Sequence, residues 1–159
     1  MECFQSPGLA TVVVDYAHTP DALARALMTC RKHCQGQLWS VFGCGGDRDT
    51  GKRPLMGRIA SELSDFVVLT SDNPRSEPPQ AILSEIRAGM TKPPMLEEID
   101  RSLAIRSVVE KASPNDYVLI AGKGHESSQV IGQATLPFSD RVEVARLFGL
   151  MDQEVQHAS

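Results

Sequence analysis

Continuously apolar runs and amphipathic stretches alternate along the chain, and this alternation predicts its secondary structure. Runs rich in Val, Ile, Leu and Phe are typical of strands that are covered on both faces, because neither face then meets water. A weaker strand signal lies at residues 95–96, and residues 129–131 and 135–136 indicate a hairpin. The strongest strand signals lie at residues 11–14, 38–42, 66–70 and 117–121.

Helical patterns follow these strands. The clearest helix start is at Thr19, a preferred N-cap residue, with Pro20 at the first helical position and Asp21 in the first turn. An apolar stripe then continues to a stop signal at Gly36. Further helices are predicted at about residues 54–63, 78–88, 102–111 and 139–150.

Strands that alternate with helices of this length predict an α/β fold. We expect a Rossmann-like, doubly wound, mostly parallel sheet with one or two antiparallel strands near the C-terminus. The 159 residues fit one domain, at residues 1–150. Residues 151–159 are polar and are expected to form a frayed tail.

Composition and charge restrict the class of partner. The chain is 42% hydrophobic and 23% charged, as in ordinary soluble globular proteins. A net charge of -4 without any run of Lys or Arg argues against nucleic acid or an anionic membrane as the main partner. No apolar run reaches the length of a membrane span and no signal-peptide pattern is present, so a cytoplasmic location is expected.

The cysteines do not indicate a metal site. Cys30 and Cys34 lie one helical turn apart with His33 between them, but no second Cys/His pair completes a tetrahedral set. Four free thiols fit a reducing compartment.

Four chemically rich residues, Asp72, Asn73, Pro74 and Arg75, follow the third strand directly. A guanidinium beside an acid and an amide suits a ligand that carries both a carboxylate and an ammonium. Loops at the carboxyl ends of strands are where open α/β sheets bind ligands. An Asn-Pro turn with a surface salt bridge explains these four residues equally well.

The glycine-rich loop at residues 43–53 nearly matches two nucleotide-binding motifs and completes neither. Arg48 occupies the third glycine position of a dinucleotide fingerprint, which argues against a nicotinamide-dependent oxidoreductase. Arg53 replaces the Ser/Thr that binds Mg²⁺ in a P-loop. We expect Arg48, Lys52 and Arg53 to supply mobile positive charge and the glycines to allow close backbone approach. A flexible loop with local ion pairs is the alternative.

Two further loops follow strands. At residues 122–126, Gly122 allows close approach to a ligand and Glu126 can accept from an ammonium, whereas Lys123 and His125 are expected to be exposed neighbours to which the sequence assigns no chemistry. His18, close to Asp15, fits either a phosphate or ribose contact or the cap of a turn.

Taken together, these loops predict a site for an amino acid or another zwitterion. They supply guanidinium groups for carboxylates and acids for ammonium groups. No Ser-His-Asp or Cys-His arrangement is evident, so no catalytic residue is assigned.

In this order, the loops at residues 15–21, 43–54, 72–75 and 122–126, followed by residues 139–141, closely resemble the C-terminal domain of the Mur ligases. The resemblance covers essentially the whole chain. It implies an ATP- and Mg²⁺-dependent amide ligase of peptidoglycan synthesis. In that reaction the D-glutamyl carboxylate of UDP-N-acetylmuramoyl-L-alanyl-D-glutamate is phosphorylated, and the amino group of meso-diaminopimelate attacks the acyl phosphate.

The resemblance also implies residue roles and a division of labour. The UDP-sugar-binding and ATPase domains of the family are absent from the chain, so we expect it to bind the amino acid without catalysing ligation and to need no cofactor of its own. Arg75 can bind the distal carboxylate that distinguishes diaminopimelate from lysine. A free-standing zwitterion-binding module without chemistry is the alternative. By resemblance, Arg48, Asp72, Asn73, Pro74, Arg75, Gly122 and Glu126 would bind the amino acid, and Asp15 and His18 would contact the nucleotide.

Overall fold

A computed structural model describes residues 1–150, so the expected fraying of residues 151–159 lies outside the described part. Helices and strands alternate along the described chain. The strands are β1 (Glu2–Phe4), β2 (Thr11–Asp15), β3 (Leu38–Phe42), β4 (Phe66–Leu69), β5 (Leu96–Glu97), β6 (Tyr117–Ala121), β7 (Ser128–Ile131) and β8 (Ala134–Pro137). The helices are α1 (Pro20–His33), α2 (Lys52–Leu63), α3 (Pro79–Ala88), α4 (Arg101–Lys111) and α5 (Asp140–Leu147).

Six strands form one mixed sheet in the order β1-β2-β6-β3-β4-β5. The five strands β2, β6, β3, β4 and β5 are parallel to their neighbours in this order. The edge strand β1 pairs with β2 in the antiparallel direction. Asp15 and Ala121 are partners at the carboxyl ends of β2 and β6. The carboxyl ends of the parallel strands therefore meet at one edge of the sheet, and the loops that leave them are neighbours.

Helices cover both faces of this sheet, and each face has its own core. On β6, Leu119 and Ala121 pack in the core that includes α1, α2 and α3. Val118 and Ile120, at alternate positions of the same strand, pack in the core that includes α4 and α5. Burial on both faces explains why the strands are continuously apolar in sequence.

Polar residues begin three of the helices by hydrogen-bonding to backbone N–H groups of the first turn. The Thr19 side chain accepts from Ala22 N, as its sequence context predicts. Asp100 and Ser139 act in the same way at the starts of α4 and α5.

The Rossmann-like, mostly parallel α/β architecture is confirmed, with some differences in detail. The antiparallel edge strand β1 was not predicted, because a segment of three residues is too short to show a periodic pattern. The predicted hairpin, β7 and β8, forms a separate two-stranded sheet. Helix α2 begins at Lys52, two residues before the predicted start, and α5 ends at Leu147. No helix of the described residues is long and apolar enough to cross a membrane.

Candidate functional site

An open cleft of about 550 Å³ lies where the loops after β2, β3, β4 and β6 come together. Some of its lining residues were not predicted to bind a ligand, among them Tyr16, Thr19 and Asp49, and Lys52 lines it as well. The predicted site residues that line the cleft are His18, Arg48, Asp72, Asn73, Arg75, Gly122 and Glu126. The fold therefore gathers most of the predicted site in one place.

Two predicted site residues lie elsewhere. Asp15 lines a separate small depression that includes His125 and Arg141, and its carboxylate accepts a hydrogen bond from Ala17 N at 3.0 Å. Pro74 does not line the cleft, and its carbonyl oxygen instead contacts the backbone of the glycine-rich loop at Gly46. The contribution of Pro74 is thus to the shape of its loop.

Arg48 and Arg75 supply the guanidinium groups of the cleft. Arg75 Nη1 donates to Gly46 O at 2.9 Å, and Arg48 Nη1 donates to Asp47 O at 2.9 Å. A guanidinium carries five N–H donors in a planar fork, so these single bonds orient each side chain and leave further donors for a ligand. A carboxylate is the group that such forks bind best.

Asp72, Asn73 and Glu126 supply acceptor groups at the cleft. Asn73 Nδ2 donates to Glu126 Oε2 at 3.3 Å, which connects the loop after β4 to the loop after β6. Burial raises the pKa of Asp72 because it disfavours the charged carboxylate, and the positive charges of Arg101 and Lys123 oppose this effect. A ligand ammonium would supply a further positive charge beside this carboxylate.

The prediction that Lys123 is an exposed neighbour is wrong. Lys123 is 0% exposed, and its Nζ donates to Asn73 Oδ1 and to Glu126 Oε2, each at 2.9 Å. Lysine is rarely buried unless it is paired, and no pattern in the sequence marks this one as an exception. Its neighbour His125 is exposed, as predicted.

The prediction that Arg53 supplies mobile charge is also wrong, because Arg53 is 0% exposed. Its guanidinium donates to Gly45 O at 2.9 Å and forms ion pairs with Glu77 and Glu85. The hydrogen bond from Arg53, together with one from Asp47 N, lowers the pKa of Glu77 to about 2. Arg53 therefore anchors the glycine-rich loop to α3 and to the segment before it.

The glycines of this loop allow close packing against the neighbouring loop. A side-chain Cβ at Gly43 would lie 2.0 Å from Thr70 O, and one at Gly46 would lie 1.8 Å from Pro74 O. Asp47 and Arg75, one in each loop, both have a left-handed backbone, with φ of 54° and 51°. The two loops that carry Arg48 and Arg75 thus have one defined relative position.

A second buried ion pair holds the strand ends beside the cleft. Arg101 Nε and Nη2 donate to the two carboxylate oxygens of Asp140, each at 2.8 Å, and both side chains are 0% exposed. Arg101 also donates to Ser71 O and Ala121 O, which directly precede Asp72 and Gly122. This pair was not identified from the sequence, because its partners lie 39 residues apart.

Neither a metal centre nor a reactive thiol is evident at the cleft. No group of three or more His, Cys, Asp or Glu suited to a metal ion occurs among residues 1–150. Burial raises the pKa of Cys44, in the glycine-rich loop, to about 12, so this thiol stays protonated at neutral pH. The cleft is therefore suited to bind a small ligand that carries both a positive and a negative charge.

Comparison with solved structures gives a near relative of the whole domain. The chain aligns with a structure of UDP-N-acetylmuramoyl-L-alanyl-D-glutamate–2,6-diaminopimelate ligase at 46% identity and a TM-score of 0.88. The alignment covers 96% of this chain and 31% of that protein, so the chain spans about a third of its relative's length.

More distant structures share the fold. Escherichia coli FolC in complex with ADP aligns at 17% identity and a TM-score of 0.57, over 96% of this chain and 31% of that one. A bifunctional folylpolyglutamate synthase/dihydrofolate synthase from Yersinia pestis, complexed with AMPPNP and Mn, aligns at 20% identity and a TM-score of 0.56, over 70% of this chain and 25% of that one. The family described as Mur ligase, glutamate ligase domain, matches residues 1–124. The chain belongs to this family of Mur ligase domains.

Proposed function

We propose that this chain is the amino-acid-binding domain of an ATP-dependent, cytoplasmic ligase that adds meso-diaminopimelate to UDP-N-acetylmuramoyl-L-alanyl-D-glutamate. The 46% identity to a structure of a ligase with that name supports the proposal. One observation in the site carries it: Arg75 and Asp72 line the same cleft, so the carboxylate and the ammonium of one amino acid both have a partner there.

Both ends of such an amino-acid group have suitable partners. The forks of Arg48 and Arg75 bind the carboxylate through charge-assisted, bidentate hydrogen bonds. Asp72 and Glu126 accept from the ammonium, and Gly122 allows the ligand to approach the backbone. Asn73 contributes by fixing the position of Glu126.

This arrangement selects diaminopimelate over lysine. The two amino acids differ by one carboxylate on the distal carbon. Lysine in the cleft would leave Arg75 desolvated without its carboxylate partner. Sites built to hydrogen-bond a polar group reject analogues without it by ~10⁴ or more in good cases.

The ligation step needs groups from outside this chain. ATP, with its Mg²⁺, phosphorylates the D-glutamyl carboxylate. The neutral amino group of diaminopimelate then attacks the acyl carbon, an amide bond forms as the carbon–oxygen bond to phosphate breaks, and the nitrogen loses a proton. We assign this chain the positioning of the amino acid and no catalytic residue. Asp15 and His18, in neighbouring depressions, are proposed nucleotide contacts when the domains close.

Calorimetric titration of this chain, and of a ligase that contains it, with meso-diaminopimelate and with L-lysine tests the proposal. We expect the ligase to bind diaminopimelate strongly and lysine weakly, and the chain alone to show no ligation with ATP and the UDP-linked dipeptide. If the ligase bound lysine as strongly as diaminopimelate, the proposed specificity for diaminopimelate would be contradicted. Turnover by the chain alone would contradict the assigned division of labour.

A further inference from the structure

Lys123 lies immediately beside the acceptor groups of the cleft and is completely buried. It follows β6 and precedes Glu126 by three residues, yet its exposed fraction is 0%. Removing an ammonium from water is costly unless hydrogen bonds and opposite charges compensate it. The partners of Lys123 therefore indicate what this buried charge does.

Those partners are Glu126, an acceptor assigned to the ligand, and Asn73, which fixes the position of Glu126. Lys123 Nζ donates to Asn73 Oδ1 and to Glu126 Oε2 at 2.9 Å. Asn73 Oδ1 also accepts from Val130 N at 2.9 Å, which leaves the Asn73 amide in one orientation. Since Glu126 Oε2 is used within the protein, Oε1 is the oxygen of that carboxylate left for a ligand.

Asp72 completes the cluster. Its Oδ1 lies 3.8 Å from Lys123 Nζ, which is too long for a hydrogen bond but close enough for a strong attraction in a site shielded from water. Two carboxylates, Asp72 and Glu126, thus share one buried ammonium. When both carboxylates are ionised, these three groups together carry one negative charge, which matches a single ligand ammonium.

We propose that Lys123 is a positioning residue for amino-acid binding: its buried ammonium orients Asn73 and Glu126 and keeps Asp72 negatively charged before the ligand arrives. The identity of the ligand rests on the proposed function. The arrangement of Asp72, Asn73 and Glu126 around Lys123 does not depend on the identity of the ligand.

The electrostatic part of this role gives a pH signature. Burial, Glu126 and Asp140 raise the pKa of Asp72, whereas Arg101 and Lys123 lower it. Removing the charge of Lys123 therefore raises this pKa further. A protonated Asp72 cannot attract an ammonium, so the variant loses affinity as the pH falls and regains it as the pH rises. A purely structural role would weaken binding by the same factor at every pH.

The first test follows Asp72 without any ligand. The ¹³C carboxyl signal of Asp72 is titrated in the wild type, in Lys123→Met and in Lys111→Met, which removes an exposed lysine on α4. We expect the pKa of Asp72 to rise in Lys123→Met and to stay unchanged in Lys111→Met. An Asp72 titration that is the same in all three proteins overturns the proposal.

Should Lys123→Met fail to fold, the wild type provides the measurement. The side-chain ¹⁵N signal of Lys123 is expected to show an ammonium that is protected from exchange and whose shift follows the Asp72 titration. A neutral amine, or a signal that does not respond to Asp72, would contradict the proposed role.

The second test measures meso-diaminopimelate binding by a ligase that contains this domain. Relative to the wild type at the same pH, Lys123→Met should bind roughly thirtyfold more weakly at pH 7, the scale of a broken buried charge pair, with a larger loss at pH 6. A loss that is equal at both pH values overturns the positioning role. A wild type that binds no diaminopimelate defeats the proposed function, while the Asp72 titration still decides the role of Lys123.

Discussion

Gly46 packs directly on the Pro74 carbonyl oxygen, which would lie 1.8 Å from a Cβ at position 46. The contact joins the loop that carries Arg48 to the loop that carries Arg75, and Arg75 Nη1 bonds to the Gly46 carbonyl at 2.9 Å. The two atoms closest to such a Cβ are both backbone atoms of Pro74, so a side-chain rotation cannot relieve the contact. The distance between the two cleft arginines therefore depends on a residue without a side chain.

Gly46→Ala is accordingly expected to separate the two loops. The forced contact should lower the free energy of unfolding by about 1–3 kcal/mol, as in other overpacked sites. Gly51→Ala is the matched control, because a Cβ there meets only the flexible end of Asp49, at 3.2 Å, and should change stability by no more than about 0.5 kcal/mol. Denaturant unfolding measures both variants. Equal stability of the two would show that the Gly46 contact is not restrictive.

The buried pair between Arg101 and Asp140 leads to a larger expected loss. Asp140→Asn keeps the shape of the side chain but leaves Arg101 charged and unpaired, at a cost of about 3–5 kcal/mol. The exposed pair of Arg58 with Glu62 supplies the control, and Glu62→Gln should cost no more than about 0.5 kcal/mol. Chemical denaturation of both variants checks the difference. Similar losses of stability in Asp140→Asn and Glu62→Gln would mean that solvent reaches the pair of Arg101 and Asp140.

Acid should weaken the anchor between Arg53 and Glu77. The pKa of Glu77 is lowered from 4.5 to about 2, chiefly by the hydrogen bond from Arg53. A lowered pKa means that the charged carboxylate stabilises the folded state above pH 4.5, and that this contribution is lost as the pH falls from 4.5 towards 2. The stability difference between wild type and Glu77→Gln should therefore be constant above pH 5 and shrink below it. A difference that stays constant down to pH 2 would contradict this assignment.

The elements that local sequence determines were predictable. The strand β6 is five apolar or aromatic residues in a row, and the start of α1 depends on Thr19 and the residues next to it. The pairing of β6 between β2 and β3 was not evident from the sequence, because it joins segments far apart in the chain. Strand β1 was missed for a similar reason, since its partner in β2 decides its conformation.

In the candidate site, too, features set by local sequence were predictable and features set by distant contacts were not. Asp72, Arg75 and Glu126 were predicted to lie close together because each follows a buried strand, and in the structure they line one cleft. Arg53 and Lys123 were misjudged because the burial of a charged side chain depends on distant acceptors. Glu77 and Glu85 lie 24 and 32 residues from Arg53, and Asn73 lies 50 residues from Lys123.

The choice between diaminopimelate and lysine should depend on Arg75. Arg75→Ala removes the fork that would bind the distal carboxylate, and we expect diaminopimelate binding to weaken by roughly thirtyfold or more, the scale of one lost charged partner. Lysine has no such carboxylate and leaves Arg75 unpaired, so its binding should stay the same or tighten, and the preference between the two ligands should collapse. The affinity of Arg75→Lys for diaminopimelate should lie between those of the wild type and Arg75→Ala, because an ammonium keeps the charge but not the bidentate geometry.

Titration of a ligase that contains this domain, with each amino acid in turn, measures this preference directly. Arg106→Ala, which removes an exposed arginine on α4, controls for the loss of one positive charge and should leave both affinities unchanged. If Arg75→Ala weakened lysine and diaminopimelate by the same factor, Arg75 would serve the shape of the cleft through its bond to Gly46 and not the recognition of the carboxylate. A selective loss for diaminopimelate would assign the carboxylate to Arg75, because that group is the chemical difference between the two ligands.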